Sequence, residues 1–305
     1  MLDKEIRREL PEEWKGIVPT KVFLQEAETI VEEAEKKGII LRIMGGLGVA
    51  MHCQEFRDFA MKLGRMGTGV VKGQEYSDID FMSHRKDRNK IKDFFSDMGY
   101  AKRRATLSSA ASERQIYYHP KGWFYVDVFY DRLLVANHPL DFRRRLELDH
   151  PTIPVTDMLL EKIQMWEAFS AKDLKDCLVL LKAHKVEEKG GKESIDASYV
   201  AKLLSGDWGF WYTATTNLKK IKKFISEIDK LGADADIDPS RFEKEDREEI
   251  VGKIESLLER IDRESKSFKW KMRSRVGTTK RWYNPVEREE TVGGFGIWEA
   301  ILPKE

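Results

Sequence analysis

Residues 75–82, which read EYSDIDFM, place two aspartates one residue apart in a short apolar segment. The alternation of acidic and apolar residues predicts a strand in which Asp78 and Asp80 point to the same side, with Cα atoms about 6.6 Å apart. Two like charges side by side cost stability unless a positive charge lies between them. This spacing suits oxygen ligands that hold one or two Mg²⁺ ions. The alternative is a solvent-facing pair of acids on an edge strand.

A glycine pair lies upstream of these aspartates. Residues 39–44, IILRIM, fit a buried strand, and GGLGVAMHC follows with a helical pattern. Gly45 and Gly46 let the backbone approach a ligand closely, and the amide groups of a helix start favour phosphate. The alternative is a tight strand-to-helix turn without a ligand. Ser77, just before the acid pair, either donates to a phosphate or caps the strand.

A third carboxylate lies downstream in an aromatic strand, WFYVDVFYD, at residues 123–131. With RQIYY before it and the turn residues HPKG between the two runs, this segment predicts a β-hairpin. Burial of Asp127 in such a strand is costly unless the carboxylate is paired or bound to a metal. The alternatives are a strand-end acid that reaches water and an ion pair with an arginine. Asp131, at the strand exit, is predicted to be solvated.

The remaining patterns are mostly helical. Amphipathic helices are predicted at residues 20–38 and 87–100, whereas the glycine-rich residues 57–76 predict a loop. From Val155 onward two further amphipathic helices precede a linker at residues 187–194, and long helices follow. The fold class expected is α/β (α+β), a mixed sheet flanked by helices and followed by a helical C-terminal region. The predicted divisions are an α/β domain with an N-terminal helix at 1–150, a helical pair at 151–190 and a mainly helical region at 191–305.

The composition describes a globular protein. Of 305 residues, 41% are hydrophobic and 35% are charged, yet the formal net charge is only +1, which argues against a disordered chain or a polyanion-binding tail. No run of about 18 apolar residues exists, and the charged start of the chain predicts no signal peptide, so we expect no membrane association. Cys53 and Cys177 lack CxxC spacing and predict reduced thiols in a cytoplasmic protein.

Taken together, MGGLGVAMH, YSDIDF and YVDVF resemble the signature of the DNA polymerase β-like nucleotidyltransferase superfamily. That signature has a GG or GS turn, an aspartate–hydrophobic–aspartate strand and a third aspartate on a later strand. The chain is also similar, over residues 41–285, to an uncharacterised bacterial and archaeal group described as nucleotidyltransferase family proteins. This second likeness is carried by FRRRLELDHPTIPVTDMLLEKIQMWEAFSAKDLKDCLVLL, DWGFWYTATTNL and KSFKWKMRSRVGTTKRWYNP.

The resemblance implies a site and a reaction. Asp78 and Asp80 match the paired metal ligands, Asp127 matches the third catalytic carboxylate, and Gly45 with Gly46 matches the phosphate turn. Two Mg²⁺ ions would serve transfer of NMP from an NTP to an acceptor, which in this superfamily can be a small molecule, RNA or protein. Asp127 is also the favoured candidate for the general base, with Asp131 and Glu147 as alternatives.

More distant likeness to abortive-infection and toxin-type nucleotidyltransferases points to two further residues. It implies that Lys162 contacts a phosphate of the nucleotide and that Asp173 supports it. The alternative is an interhelical salt bridge. Residues 266–288 carry eight Lys and Arg against one Glu among aromatic side chains, which predicts either a nucleic-acid surface or an ordinary packed hairpin.

Two other functions stay open beside the Mg²⁺-dependent nucleotidyltransferase. The same fold could serve as a non-catalytic module that binds a nucleotide or RNA, although a pure binder has no need of all three acids. The chain could also be a toxin-like enzyme that modifies tRNA.

Overall fold

The computed structural model describes residues 10–65, 74–103, 114–134, 136–167 and 169–285. The chain divides into two compact units, which we call the sheet unit and the helical unit. The sheet unit comprises Met1–Met51, Met66–Val135 and Pro139–Pro154, and the helical unit comprises His52–Arg65, Ala136–His138 and Val155–Glu305. The division into three parts stays a prediction.

A mixed β-sheet forms the centre of the sheet unit. Its strands are β1 (Leu41–Met44), β2 (Asp78–Ser83), β3 (Ala101–Lys102), β4 (Arg114–Tyr118), β5 (Tyr125–Tyr130), β6 (Arg132–Leu133) and β7 (Leu140–Asp141). The main order is β1-β2-β5-β4-β3, and β6 pairs with β5 and β7. Strands β2 and β5 run parallel, whereas β1 and β4 pair antiparallel with them. The predicted mixed sheet is therefore confirmed.

Helices cover one face of this sheet. They are α1 (Thr20–Lys36) and α4 (Arg88–Asp97). A further helix, α2 (Gly45–His52), directly follows β1. The buried stripe of α1 joins one core cluster with the strand residues Ile79, Phe81, Val126 and Val128. Side chains alternate along a strand, so the residues between these apolar ones point to the opposite face. That opposite face is where the acidic residues of β2 and β5 lie.

Helices make up most of the helical unit. They are α3 (Arg57–Lys62), α5 (Val155–Ile163), α6 (Ala171–Ala183), α7 (Ala197–Gly206), α8 (Trp208–Ser226), α9 (Ile228–Leu231), α10 (Lys244–Arg263) and α11 (Phe268–Ser274). Side-chain caps begin several of them, with Asp196 before α7 and Asp207 before α8 each accepting a backbone N–H. Within the described ranges, no helix combines the length and apolar character that crossing a membrane requires.

Three local expectations were wrong. Residues 57–62 of the predicted loop form α3, whose Phe59 ring packs on Phe242 at 5.6 Å; residues 66–73 of that loop lie outside the described residues. The predicted linker instead joins two short parallel strands, β8 (Lys185–Glu187) and β9 (Ser194–Asp196). The hairpin expected as one alternative at FKWKMRSR is helix α11, because Ser267 accepts the Trp270 N–H at 3.1 Å and caps a helix.

Candidate metal and nucleotide site

The register of two parallel strands brings three carboxylates together. Asp80 of β2 is the direct partner of Asp127 of β5, and Asp78 precedes Asp80 by two residues. Register partners on neighbouring strands are about 4.8 Å apart and point to the same face, as do residues two apart on one strand. All three side chains therefore share the sheet face opposite the apolar core. Asp78 and Asp80 are half-buried, and Asp127 is 3% exposed.

Gly45 lies against this group of acids. Its neighbour Met44 is the antiparallel partner of Asp80, so the chain turns into α2 directly beside that carboxylate. Gly45 has φ +68°, and a Cβ built on it would lie 2.7 Å from Asp80 Oδ2. Only glycine satisfies both the left-handed backbone and the close approach. Gly46 follows in the first turn of α2, whose amide groups point away from the helix body as in anion-binding helix starts.

Ser77 contacts an acid of the site. Its hydroxyl donates to Asp78 Oδ1 at 3.0 Å. A hydroxyl hydrogen bond stabilises the ionised carboxylate and fixes its orientation. This contact places the hydroxyl beside a proposed metal ligand, and both alternatives for Ser77 stay predictions.

Arg114 is a site residue that the sequence reasoning missed. Its Nη1 donates to Asp127 Oδ2 at 2.6 Å, and its side chain is 28% exposed. Arg114 lies on β4 two residues before Ile116, the register partner of Asp127, and so it points to the same face. The alternation in RQIYY carried this signal, because an arginine in a strand paired with WFYVDVF can reach an acid on the same face. The ion pair is one of the alternatives left open for Asp127.

The donor set fits a hard divalent cation. The three carboxylates offer only oxygen, which Mg²⁺ prefers over nitrogen or sulfur. Their placement on one face is costly unless positive charge is nearby, and Arg114 supplies part of that charge at Asp127. Asp78, Asp80 and Asp127 are therefore the residues that would hold Mg²⁺.

Asp131 is more tightly held than the sequence suggested. It lies at the exit of β5 with φ 58°, and its Oδ1 accepts the Arg85 backbone N–H at 3.1 Å. His84 Nδ1 is 3.5 Å from the same oxygen, and His84 Nε2 lies 2.8 Å from Glu147 Oε1. The predicted solvated side chain is 26% exposed and belongs to a chain of polar contacts. These contacts position the turn after β5.

Lys162 belongs to the helical unit and is buried in an ion-pair network there. Its Nζ lies 3.3 Å from Asp176 Oδ2 and 3.7 Å from Asp173 Oδ1. Burial by itself would lower the pKa of Lys162, but Asp176, Glu161 and Asp173 outweigh it and raise that pKa. The lysine is therefore charged, and its contacts correspond to the interhelical salt bridge that the sequence left as the alternative.

Asp173 has a second structural role. Its Oδ2 accepts the backbone N–H of Ser170 at 3.0 Å and the Ser170 hydroxyl at 2.7 Å, and Ser170 caps the Asp173 N–H in return. This reciprocal pair is a capping box at the start of α6. The described contacts of Asp173 account for its position without a nucleotide, and its role in nucleotide binding stays a prediction.

No family model matches the chain, and searches of curated proteins and of solved structures gave no match. The function is therefore inferred from the residues and their geometry.

Proposed function

We propose that the chain is a Mg²⁺-dependent nucleotidyltransferase. The observation that carries the proposal is the register pair of Asp80 and Asp127, which puts three acids on one sheet face beside the Gly45 turn. Like charges brought together at a point where glycine is required indicate a site built for something other than stability. A bound divalent cation would relieve their repulsion.

The reaction divides among the residues as follows. An acceptor oxygen attacks the α-phosphorus of an NTP, the bond from that phosphorus to the β-phosphate oxygen breaks, and pyrophosphate leaves. Asp78, Asp80 and Asp127 would hold Mg²⁺, which when bound supplies the positive charge that stabilises the triphosphate and the leaving group. The amide groups at the start of α2, at Gly45 and Gly46, would bind phosphate oxygens.

Asp127 is also proposed to receive the proton of the acceptor hydroxyl. It is the most buried of the three acids, and its Oδ2 is held by Arg114 at 2.6 Å. This contact fixes the orientation of the carboxylate. Arg114 therefore acts as a positioning residue for Asp127.

The first experiment follows the α-phosphate of the nucleotide. The protein is incubated with Mg²⁺, NTPs labelled at the α- or the γ-phosphate, and separate small-molecule, RNA and protein fractions as acceptors. We expect α-label to enter one fraction and γ-label to appear in pyrophosphate. Asp80→Asn should reduce this transfer at least about a hundredfold, because metal charge contributes several kcal/mol to the transition state.

Asp97→Asn is the matched control. It removes one carboxylate from the sheet unit at an exposed position on α4, where Asp97 pairs only weakly with solvent-exposed Lys37. Transfer by this variant should equal that of the unmodified protein. Transfer that survives Asp80→Asn, or that proceeds unchanged when Mg²⁺ is chelated, would contradict the proposal.

The Arg114 contact favours a second function, a non-catalytic module that binds a nucleotide. The Arg114 guanidinium already neutralises the charge of Asp127. A protein that only binds a nucleotide would retain this ion pair. This function predicts NTP binding by calorimetry that depends on Asp80, without label transfer to any acceptor fraction. For such a module, neither the unmodified protein nor Arg114→Met would transfer label. For an enzyme in which Arg114 positions the base, the unmodified protein transfers label and Arg114→Met loses that activity.

A further inference from the structure

A second group of ligand-type side chains lies in the helical unit, apart from the acids of the sheet. It contains His52, at the end of α2, His184, directly after α6, and Glu193, directly before β9. The possible ligand atoms of these three residues all lie within 4.8 Å of one another. Two imidazoles and one carboxylate therefore meet at a single point, although His52 is 141 residues away from Glu193 in sequence.

Two of the three separations between possible ligand atoms match those around a bound transition metal. Glu193 Oε2 lies 3.3 Å from His52 Nδ1 and 3.6 Å from His184 Nδ1. In tetrahedral Zn²⁺ sites, bonds of about 2.0–2.2 Å to nitrogen and oxygen separate neighbouring ligand atoms by about 3.3–3.5 Å. A cation could thus be bound with small movements of the Glu193 side chain, which is 65% exposed.

The two imidazole rings are held in place by their surroundings. Their side chains are 3% and 4% exposed, and the rings pack edge to face with centroids 5.7 Å apart. Behind the His184 ring, Nε2 lies 3.7 Å from Cys53 Sγ, and its Nδ1 lies 3.0 Å from the Glu193 carbonyl oxygen. A contact on the far ring nitrogen is typical of metal-binding histidines, because it fixes the ring orientation.

We propose that His52, His184 and Glu193 form a binding site for a divalent transition ion of the Zn²⁺ class. The ion would bind Nδ1 of both rings and the Glu193 carboxylate, replacing the contact between His184 Nδ1 and the Glu193 carbonyl. Cys53 Sγ then remains as the partner of His184 Nε2. Three protein ligands leave a position for water or an external ligand.

This site differs in chemistry from the carboxylate cluster of the sheet. Imidazole nitrogen selects Zn²⁺, Co²⁺ or Ni²⁺, whereas the all-oxygen set of Asp78, Asp80 and Asp127 suits Mg²⁺. Binding at the second site would tie residues 188–193, between β8 and β9, to the end of α2. The inference does not depend on the proposed nucleotidyl transfer.

Co²⁺ is the probe for the experiment, because its visible absorption reports nitrogen ligands and low coordination number. Full-length protein without an affinity tag is stripped with a chelator and titrated with Co²⁺ in excess Mg²⁺, which competes for any site made of oxygen ligands. We expect one Co²⁺ per chain, displaced by Zn²⁺. In ¹⁵N spectra of the histidine rings, Zn²⁺ should shift Nδ1 of His52 and His184 more than Nε2.

Glu193→Gln tests the site without disturbing the core, since this side chain is largely exposed. It should weaken Co²⁺ binding about tenfold or more. Glu188→Gln is the matched control on the same connection, because Glu188 is 67% exposed and pairs with Arg260 instead; its affinity should be unchanged. Absence of stoichiometric Co²⁺ binding, or equal affinity in Glu193→Gln and the unmodified protein, would overturn the proposal.

Discussion

Three acids of the sheet unit share one face, whereas Asp176, a buried acid of the helical unit, lies between two cations. Asp176, 1% exposed, accepts from Arg65 Nε and lies 3.3 Å from Lys162 Nζ. Asp80 instead has Asp127 as its strand partner and Asp78 on the same face. Negative and positive charges alternate around Asp176, whereas negative charges lie side by side around Asp80.

We interpret this difference as one between charge that stabilises the fold and charge that the proposed function would use. Burial would raise the pKa of Asp176, but Arg65 and Lys162 outweigh it and lower that pKa, so the folded protein favours the ionised acid. In the sheet, Asp78, Asp80 and Asp127 share one face, and under the proposed function their like charges would favour cation binding. The same residue type therefore stabilises one unit and is expected to serve chemistry in the other.

The largest expected effect is on stability, from Asp176→Asn. This substitution leaves Lys162 and Arg65 buried without their shared carboxylate, and breaking such a pair costs about 3–5 kcal/mol. Urea denaturation monitored by circular dichroism would measure the loss as a lower midpoint. The lowered pKa of Asp176 means that its contribution is present above the unfolded pKa of about 4 and is lost as pH falls below it.

Asp80→Asn is the comparison for that experiment. In the absence of divalent ions it should cost less stability than Asp176→Asn, because it removes one charge from a group of like charges. Equal losses in Asp80→Asn and Asp176→Asn would mean that both acids are structural, and the distinction between the two units would fail.

Another effect concerns acid pH, because burial lowers the pKa of His119 in the sheet unit and of His138 in the helical unit. Burial, with Lys121 nearby, lowers the pKa of His119 to about 4. Burial also lowers the pKa of His138 to about 4, although Asp207 acts in the opposite direction. His119 stacks on Trp123 at 4.6 Å.

Both folded pKa values lie below the unfolded value of about 6.5, so stability from each neutral ring is complete above that pH. It is lost progressively as pH falls from about 6.5 to about 4. His119→Gln and His138→Gln should each flatten the pH dependence of stability. Hydrogen exchange followed in each unit assigns the effect, and an unchanged slope in the double variant would contradict it.

Much of the sheet unit was predictable because short-range patterns control it. The strand around Asp78 and Asp80, the hairpin that carries Asp127 and the helical stripe of α1 all follow from alternation or from a 3.6-residue period. The helix at residues 57–62 was not predicted, since its single buried aromatic, Phe59, is explained by packing on Phe242, far along the chain.

The site was predictable to the extent that it depends on local sequence. The acids and the glycine turn are visible as motifs, but strand register decides that Asp127 stands beside Asp80, and register is a long-range property. Arg114 was missed for the same reason. The cluster of His52, His184 and Glu193 joins segments up to 141 residues apart, and no spacing rule indicates it.

The smallest expected effect compares one glycine from each unit. Gly45→Ala forces an L-residue into φ +68° and puts a methyl group 2.7 Å from Asp80 Oδ2, so the acid must move. We expect a stability loss of about 1–2 kcal/mol and impaired transfer. Gly252→Ala, in α10 with nothing within 4 Å of the added carbon, should raise stability by about 0.5–1 kcal/mol.

Because the same substitution is expected to lower stability at Gly45 and to raise it at Gly252, the pair tests whether the position of the glycine decides the effect. Thermal unfolding of both variants gives the stability changes, and the transfer assay shows whether Gly45→Ala also loses activity while Gly252→Ala retains it. If Gly45→Ala kept both stability and transfer, the close approach of the turn to Asp80 would have no part in the site. A loss of transfer larger than the loss of stability would instead show that the glycine holds the Asp80 carboxylate in its working position.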